Sequence, residues 1–171
     1  MVAADQNWHV IIDTPKGDRS KFKYDSELGL FKWSKQLAAG HVFPYNFGFI
    51  PGTLGEDGDC LDVLLIFEEP LFVGCMVVAR PVGVILAMQS QKKRMIRNDR
   101  LVAVAVNDES KRSTHSLSEL PRSLIEEIQH FFVSYNEMDG KKFTPLGVNG
   151  PRKAHSLVKL GMEKFQKRGI K

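Results

Sequence analysis

The chain predicts an α+β domain, with short strands filling its first two thirds and two helices its last third. Two observations carry that reading: runs rich in Val, Ile and Leu, cut by Gly, Pro, Asn and Asp, up to Val106, and a switch to helical spacing after Pro121. A third is the 43% hydrophobic content of its 171 residues. That is material for one substantial core, because a domain of this size buries about 70% of the surface its unfolded chain exposes.

The first strand is expected over His9 to Asp13, ahead of the breakers Pro15 and Gly17, and the next over Lys21 to Asp25. Gly48 to Ile50 forms a third before Pro51-Gly52. Stronger runs follow at Asp62 to Phe67, Cys75 to Leu86 and Leu101 to Val106, where branched side chains favour a pleated, buried surface. Short strands at this spacing suggest a small barrel or sandwich. Pro121 suits the first turn of a helix, where its missing N–H costs nothing. Leu124, Ile125, Ile128, Phe131, Phe132 and Tyr135 then recur at helical spacing until Gly140. A second helix is expected from Pro151, with Ala154, Leu157, Val158, Gly161 and Phe165 on one face and Lys or Arg on the other. Phe131, Phe132 and Phe165 are read as core packing. Without internal repeats, low-complexity segments or a long linker, residues 1–171 read as a single domain.

Composition narrows the function classes. Residues Met1 to Trp8 hold no continuous apolar run or basic leader, and no apolar stretch approaches the roughly 20 residues that span a bilayer. A cytoplasmic protein without a membrane partner is expected. Cys60 and Cys75 are too few for a disulfide framework and lack C-x-x-C spacing, so both are read as reduced thiols. A net charge of +4 favours anionic partners. Nucleic acid is not expected among them, because the basic segment Gln91 to Arg100 contains no aromatic residue on which a base could stack.

The chemistry concentrates in Glu56-Asp57-Gly58-Asp59-Cys60-Leu61-Asp62, followed at once by the apolar Val63 to Phe67. Four carboxylates in seven residues repel one another beside a buried strand unless a cation lies among them. A hard ion such as Mg²⁺ takes oxygen ligands and keeps several waters, so two or three carboxylates suffice. Gly58 lets the chain turn so that Asp57 and Asp59 converge, with Asp62 approaching from the start of the strand. No late Glu completes an EF-hand pattern.

The segment Asp57-Gly58-Asp59-Cys60-Leu61-Asp62-Val63-Leu64 resembles the D-G-D-P-x-D-V-L signature of family I soluble inorganic pyrophosphatases, with Cys60 in the proline position. Phe43-Pro44-Tyr45-Asn46-Phe47-Gly48-Phe49-Ile50 is similar to another segment of that family, as are Arg80 to Val84, Leu101 to Val104, His130 to Tyr135 and the final basic helix. The resemblance runs in order over roughly residues 8 to 167. It implies a five-stranded, OB-like β-barrel with two C-terminal helices packed outside, and a homo-oligomer, a hexamer if like bacterial members. The implied activity is hydrolysis of pyrophosphate to two phosphates with Mg²⁺, or with Mn²⁺ or another divalent ion, as cofactor. Carried over by position, Asp57 and Asp62 would be metal ligands, and Asp59 would take the proton from the attacking nucleophile. Lys21, Lys35, Arg100 and Tyr135 would contact phosphate, Lys35 as a point charge where Arg is usual.

Several positions depart from the family. Counting back without gaps from Leu101 to Val104 places Lys93, Asn98 and Arg100 where a D-x4-D-x-K pattern stands, so that two carboxylates are missing. Asp99 is one residue out of phase; a bulge could bring it inward, but in a regular strand its side chain faces the other side. Asp13 stands for Glu, Lys23 for an acid, Phe43 and Phe47 for tyrosines, and Asn136 for Lys. The expectation is therefore a pyrophosphatase of reduced activity. It would keep one metal pair through Asp57 and Asp62, with Lys23 and Lys93 weakening or replacing the remaining ions. The alternative is a non-catalytic paralogue that binds phosphate-rich ligands or an active partner subunit.

Overall fold

Val63, Leu64, Leu65 and Ile66 form an unbroken apolar run, and every one of them is fully buried. A strand hidden on both faces needs such a run, and the computed structural model, which describes residues 7–169, places it at the centre of a mixed sheet. In chain order the strands are β1 (Trp8–Thr14), β2 (Ser20–Asp25), β3 (Leu30–Gln36), β4 (Asn46–Ile50), β5 (Leu61–Ile66), β6 (Met76–Gln91), β7 (Arg94–Arg97), β8 (Arg100–Ala105) and β9 (Phe143–Asn149). The helices are α1 (Arg122–Glu137) and α2 (Pro151–Lys167).

Five strands close into a ring. β1 pairs with β4, β4 with β5, β5 with β8, β8 with β6, and β6 returns to β1. Only β5 and β8 run parallel, with Val63 opposite Leu101 and Ile66 opposite Val104. This is the five-stranded fold class expected from the sequence, with both helices outside it. The sheet extends through β7 and β9, each paired with β6, while β2 and β3 form a separate hairpin.

Alternation along β5 and β8 feeds two cores. Leu64, Ile66, Val102 and Val104 pack with Phe47 and with Ile125, Ile128 and Phe132 of α1. Val63, Leu65, Leu101 and Ala103 pack with Val10, Ile12 and with Ala154 and Val158 of α2. β1 and β4 approach so closely that a Cβ on Gly48 would stand 2.1 Å from the Ile11 carbonyl oxygen. Only glycine fits there.

The helix expectations hold to within a residue or two: Pro121 precedes α1, and Pro151 opens α2. Ala154, Val158 and Gly161 are buried, whereas Leu157 and Phe165 are half-buried. β3, β7 and β9 lay outside the expected strands. Each is largely exposed, so no apolar run marks it, and β9 carries Pro145 and Gly147 within its span. Residues 1–6, where no leader was expected, and residues 170–171 of the expected single domain lie outside the described residues.

Candidate active site

The acidic turn is shaped by its own backbone. Gly58 has φ +92°, a left-handed conformation that other residues rarely adopt, and Gly55 N–H donates to the Asp59 carbonyl at 2.8 Å to close the loop. Asp59 N–H donates to Asp57 Oδ1 at 3.1 Å. Asp62 enters from β5, opposite Phe49 of β4. Burial, then the charge of Asp62 and, more weakly, that of Asp59, push the Asp57 carboxyl up to about 6, opposed by the Asp59 N–H and by Arg100.

Cations gather around this turn from two directions. Arg100 opens β8, and the parallel register that sets Leu101 against Val63 also brings Arg100 beside Asp62, with Nη1 to Oδ2 at 2.7 Å. The guanidinium is buried and also donates to Asn98 Oδ1 and, at 3.4 Å, to Gln89 Oε1. It lies 4.7 Å from the centre of the Phe132 ring and 5.4 Å from that of Phe143.

The other cations come from the β2–β3 hairpin. Its register pairs Lys21 with Lys35 and Lys23 with Lys32, while Phe22 pairs with Trp33 and Tyr24 with Phe31. Alternation, together with the register shift between Lys21 and Phe22, thus sorts the lysines to one face and the aromatics to the other. Lys23 reaches Asp59 at 3.3 Å in the open. Lys21 is buried against Asp13 at 2.8 Å, and its ammonium lies 4.1 Å over the Phe47 ring and 5.3 Å over that of Phe43. Burial pushes Asp13 up and Lys21 down, each opposed by the partner's charge. Lys35 pairs with Asp139 and lies 4.3 Å from the Tyr135 ring centre. Burial raises the Tyr135 hydroxyl pKa, and Lys35 opposes the rise. The charge of Asp62 bears on Asp13, Lys21, Lys23 and Asp57 alike, which makes it the electrostatic centre of the group.

Of the other positions singled out in the sequence, Asn98 and Asp99 border the same space as Asp57 and Asp62, whereas Lys93 and Asn136 lie apart from it. Lys93 is exposed at φ +66° in the tight turn between β6 and β7, where Gln91 pairs with Arg94. Asp99 is occupied structurally: it accepts from Ala87 N–H at 2.9 Å and from Arg97 at 2.8 Å and 3.0 Å. Asn98 faces Gln89 and Arg100. Asn136 is buried and donates to the Phe132 carbonyl at 2.8 Å, bonding within its own helix. Asp139 escaped the sequence reading, because it lies past the end of α1, where no helical spacing ties it to Tyr135. Gln89 also escaped it, and no sequence signal marks it.

Asp57 and Asp62 adjoin a cavity of about 250 Å³ whose wall includes Cys60, Arg97, Lys153 and Lys164. A second cavity of about 250 Å³ is lined by Lys35, Leu37, His41, Tyr135 and Asp139. Among the described residues no three His, Cys, Asp or Glu side chains come together as a ligand set. The mutual repulsion of Asp57 and Asp62 suits a divalent ion completed by water.

The family model for inorganic pyrophosphatase matches residues 10–166. The inorganic pyrophosphatase of Methanosarcina acetivorans is 33% identical over 156 residues, covering 91% of this chain and 90% of that one. The inorganic pyrophosphatase of Halalkalibacterium halodurans is 36% identical over 131 residues, covering 77% and 78%. The crystal structure of an inorganic pyrophosphatase from Neisseria gonorrhoeae superposes with a TM-score of 0.87 at 30% identity, over 94% of this chain and 91% of that one.

Proposed function

The chain belongs to the inorganic pyrophosphatase family, and on that premise we propose that it hydrolyses pyrophosphate to two phosphates at the Asp57–Asp59–Asp62 turn. The observation that carries the reading is the ring of cations around that turn, with Arg100 at Asp62 and Lys23 at Asp59. A dianionic or more highly charged phosphate needs such positive potential.

Asp57 and Asp62 would hold one divalent ion, Mg²⁺ or Mn²⁺. When bound, it would neutralise phosphate charge and render a water more acidic. Asp59 is the exposed carboxylate of the three, so it can accept the proton of the attacking water and pass it to solvent. Lys21, Lys35 and Arg100 would orient the phosphate oxygens, and Tyr135, held beside Lys35, would donate its hydroxyl to one of them. The reading also places the protein in the cytoplasm as a homo-oligomer, which size-exclusion chromatography with light scattering tests; among the described residues no helix is long and apolar enough to cross a membrane.

A second reading, a non-catalytic paralogue that binds phosphate-rich ligands or an active partner subunit, is favoured by one observation: among the described residues no three His, Cys, Asp or Glu side chains come together as a ligand set. The deciding measurement is phosphate release from pyrophosphate across a Mg²⁺ and Mn²⁺ titration, with Asp59→Asn as control. Metal-dependent turnover that the control loses by about a hundredfold or more supports the enzyme. No turnover with retained pyrophosphate binding supports the paralogue.

A further inference from the structure

We infer that Arg100 is a resident counter-cation of Asp62, standing in for a metal ion and holding the chain's demand at the Asp57–Asp62 pair to a single, weakly taken divalent ion. The inference rests on the proposed reading of Asp57 and Asp62 as the ligand pair.

Arg100 is placed by the fold. The β5–β8 register brings it to Asp62 whether or not an ion is near, and its side chain is only 5% exposed. Asn98 Oδ1 accepts from the same nitrogen that meets Asp62, and the Phe132 ring flanks the guanidinium plane. To leave Asp62, Arg100 would have to give up these contacts together. Among the described residues Asp62 is the one carboxylate in an ion pair with it, because the neighbouring side-chain acceptors, Asn98 and Gln89, are neutral. A carboxylate at either position would share the guanidinium and relieve Asp62. An ion ligated by Asp62 therefore approaches a fixed positive charge in a place with little water to screen it.

The test reads Mn²⁺ binding to the intact protein by calorimetry and by electron paramagnetic resonance, without substrate. Arg100→Gln is expected to tighten Mn²⁺ by about tenfold or more as a close like charge is removed, and the gain should vanish in Arg100→Gln/Asp62→Asn. Asn98→Ala, which adds no charge and removes one of the contacts that hold Arg100 at Asp62, should tighten Mn²⁺ severalfold and covers the case in which Arg100→Gln does not fold. Unchanged or weaker binding in folded Arg100→Gln or in Asn98→Ala overturns the inference while leaving the ligand pair standing. No Mn²⁺ binding in any variant removes the ligand pair, and the inference goes with it.

Discussion

Replacing Lys21 by Met isolates the buried pair under the hairpin. The Lys21 and Asp13 side chains are 6% and 9% exposed and their charges meet at 2.8 Å. Removing the ammonium leaves an anion in a place where burial already raises its pKa, with a hydrogen bond from Thr14 as remaining support. Two unit charges about 4 Å apart attract by about 4 kcal/mol at an effective dielectric of 20. Stranding one member of a buried pair costs about 3–5 kcal/mol. For a domain of this size that lowers the melting midpoint by roughly 10 °C. The raised carboxyl and lowered ammonium have a second consequence: desolvation outweighs attraction, so Asp13→Leu/Lys21→Met should lie within about 1 kcal/mol of wild type. Urea denaturation of the two single variants and the double variant completes the cycle. Lys21→Met within about 1 kcal/mol of wild type, or a double variant as unstable as that single one, would refute the reasoning.

Gly48→Ala sets a Cβ against the Ile11 carbonyl carbon and oxygen, backbone atoms that move only if β1 leaves β4. A loss of about 3 kcal/mol is expected in denaturant titration, and a loss below about 1 would mean the strands part easily there. Glu119 accepts from the backbone N–H groups of His115 and Ser116 in a capping box, which hold its carboxyl below the ordinary value of 4.5. A depressed carboxylate contributes stability above its unfolded pKa and loses it as pH falls through the folded one. Glu119→Gln should therefore lower the denaturation midpoint at neutral pH, with the difference shrinking from about pH 4.5 downward. An equal difference at all pH values would show that the charge is not involved.

Burial decides which elements can be read in the sequence. β5 and β8 stand out because both faces of each are buried, so the chain must be apolar throughout, and the helices because proline marks where each begins. β3 and β7 make backbone pairings that side-chain pattern does not record. The site follows the same division. Asp57, Asp59 and Asp62 are legible because four acids crowd one short turn. The Asp13–Lys21 pair joins two strands that are not hydrogen-bonded partners, so no spacing rule connects them. Lys93 shows the limit of counting: the ungapped walk back from Leu101 passes along β7 and ends at a hairpin tip, where the side chain leaves the sheet.

The sixteen residues of β6 pair with β1, β7, β8 and β9, so the order of folding depends on them. A chain emerging from its N-terminus can assemble β1, β4 and β5 early, yet the ring cannot close until β6 and then β8, through Ala105, have been made. Until β6 and β8 join, β1 and β5 each keep an unpaired edge, and the parallel β5–β8 contact must wait for the 33 residues between Ile66 and Arg100 to close into a loop. Non-local closure of this kind makes for slow folding. A lesion in the middle of β6, near the bulge between Pro81 and Gly83, would prolong the life of those open edges before it altered any finished contact at the acidic turn.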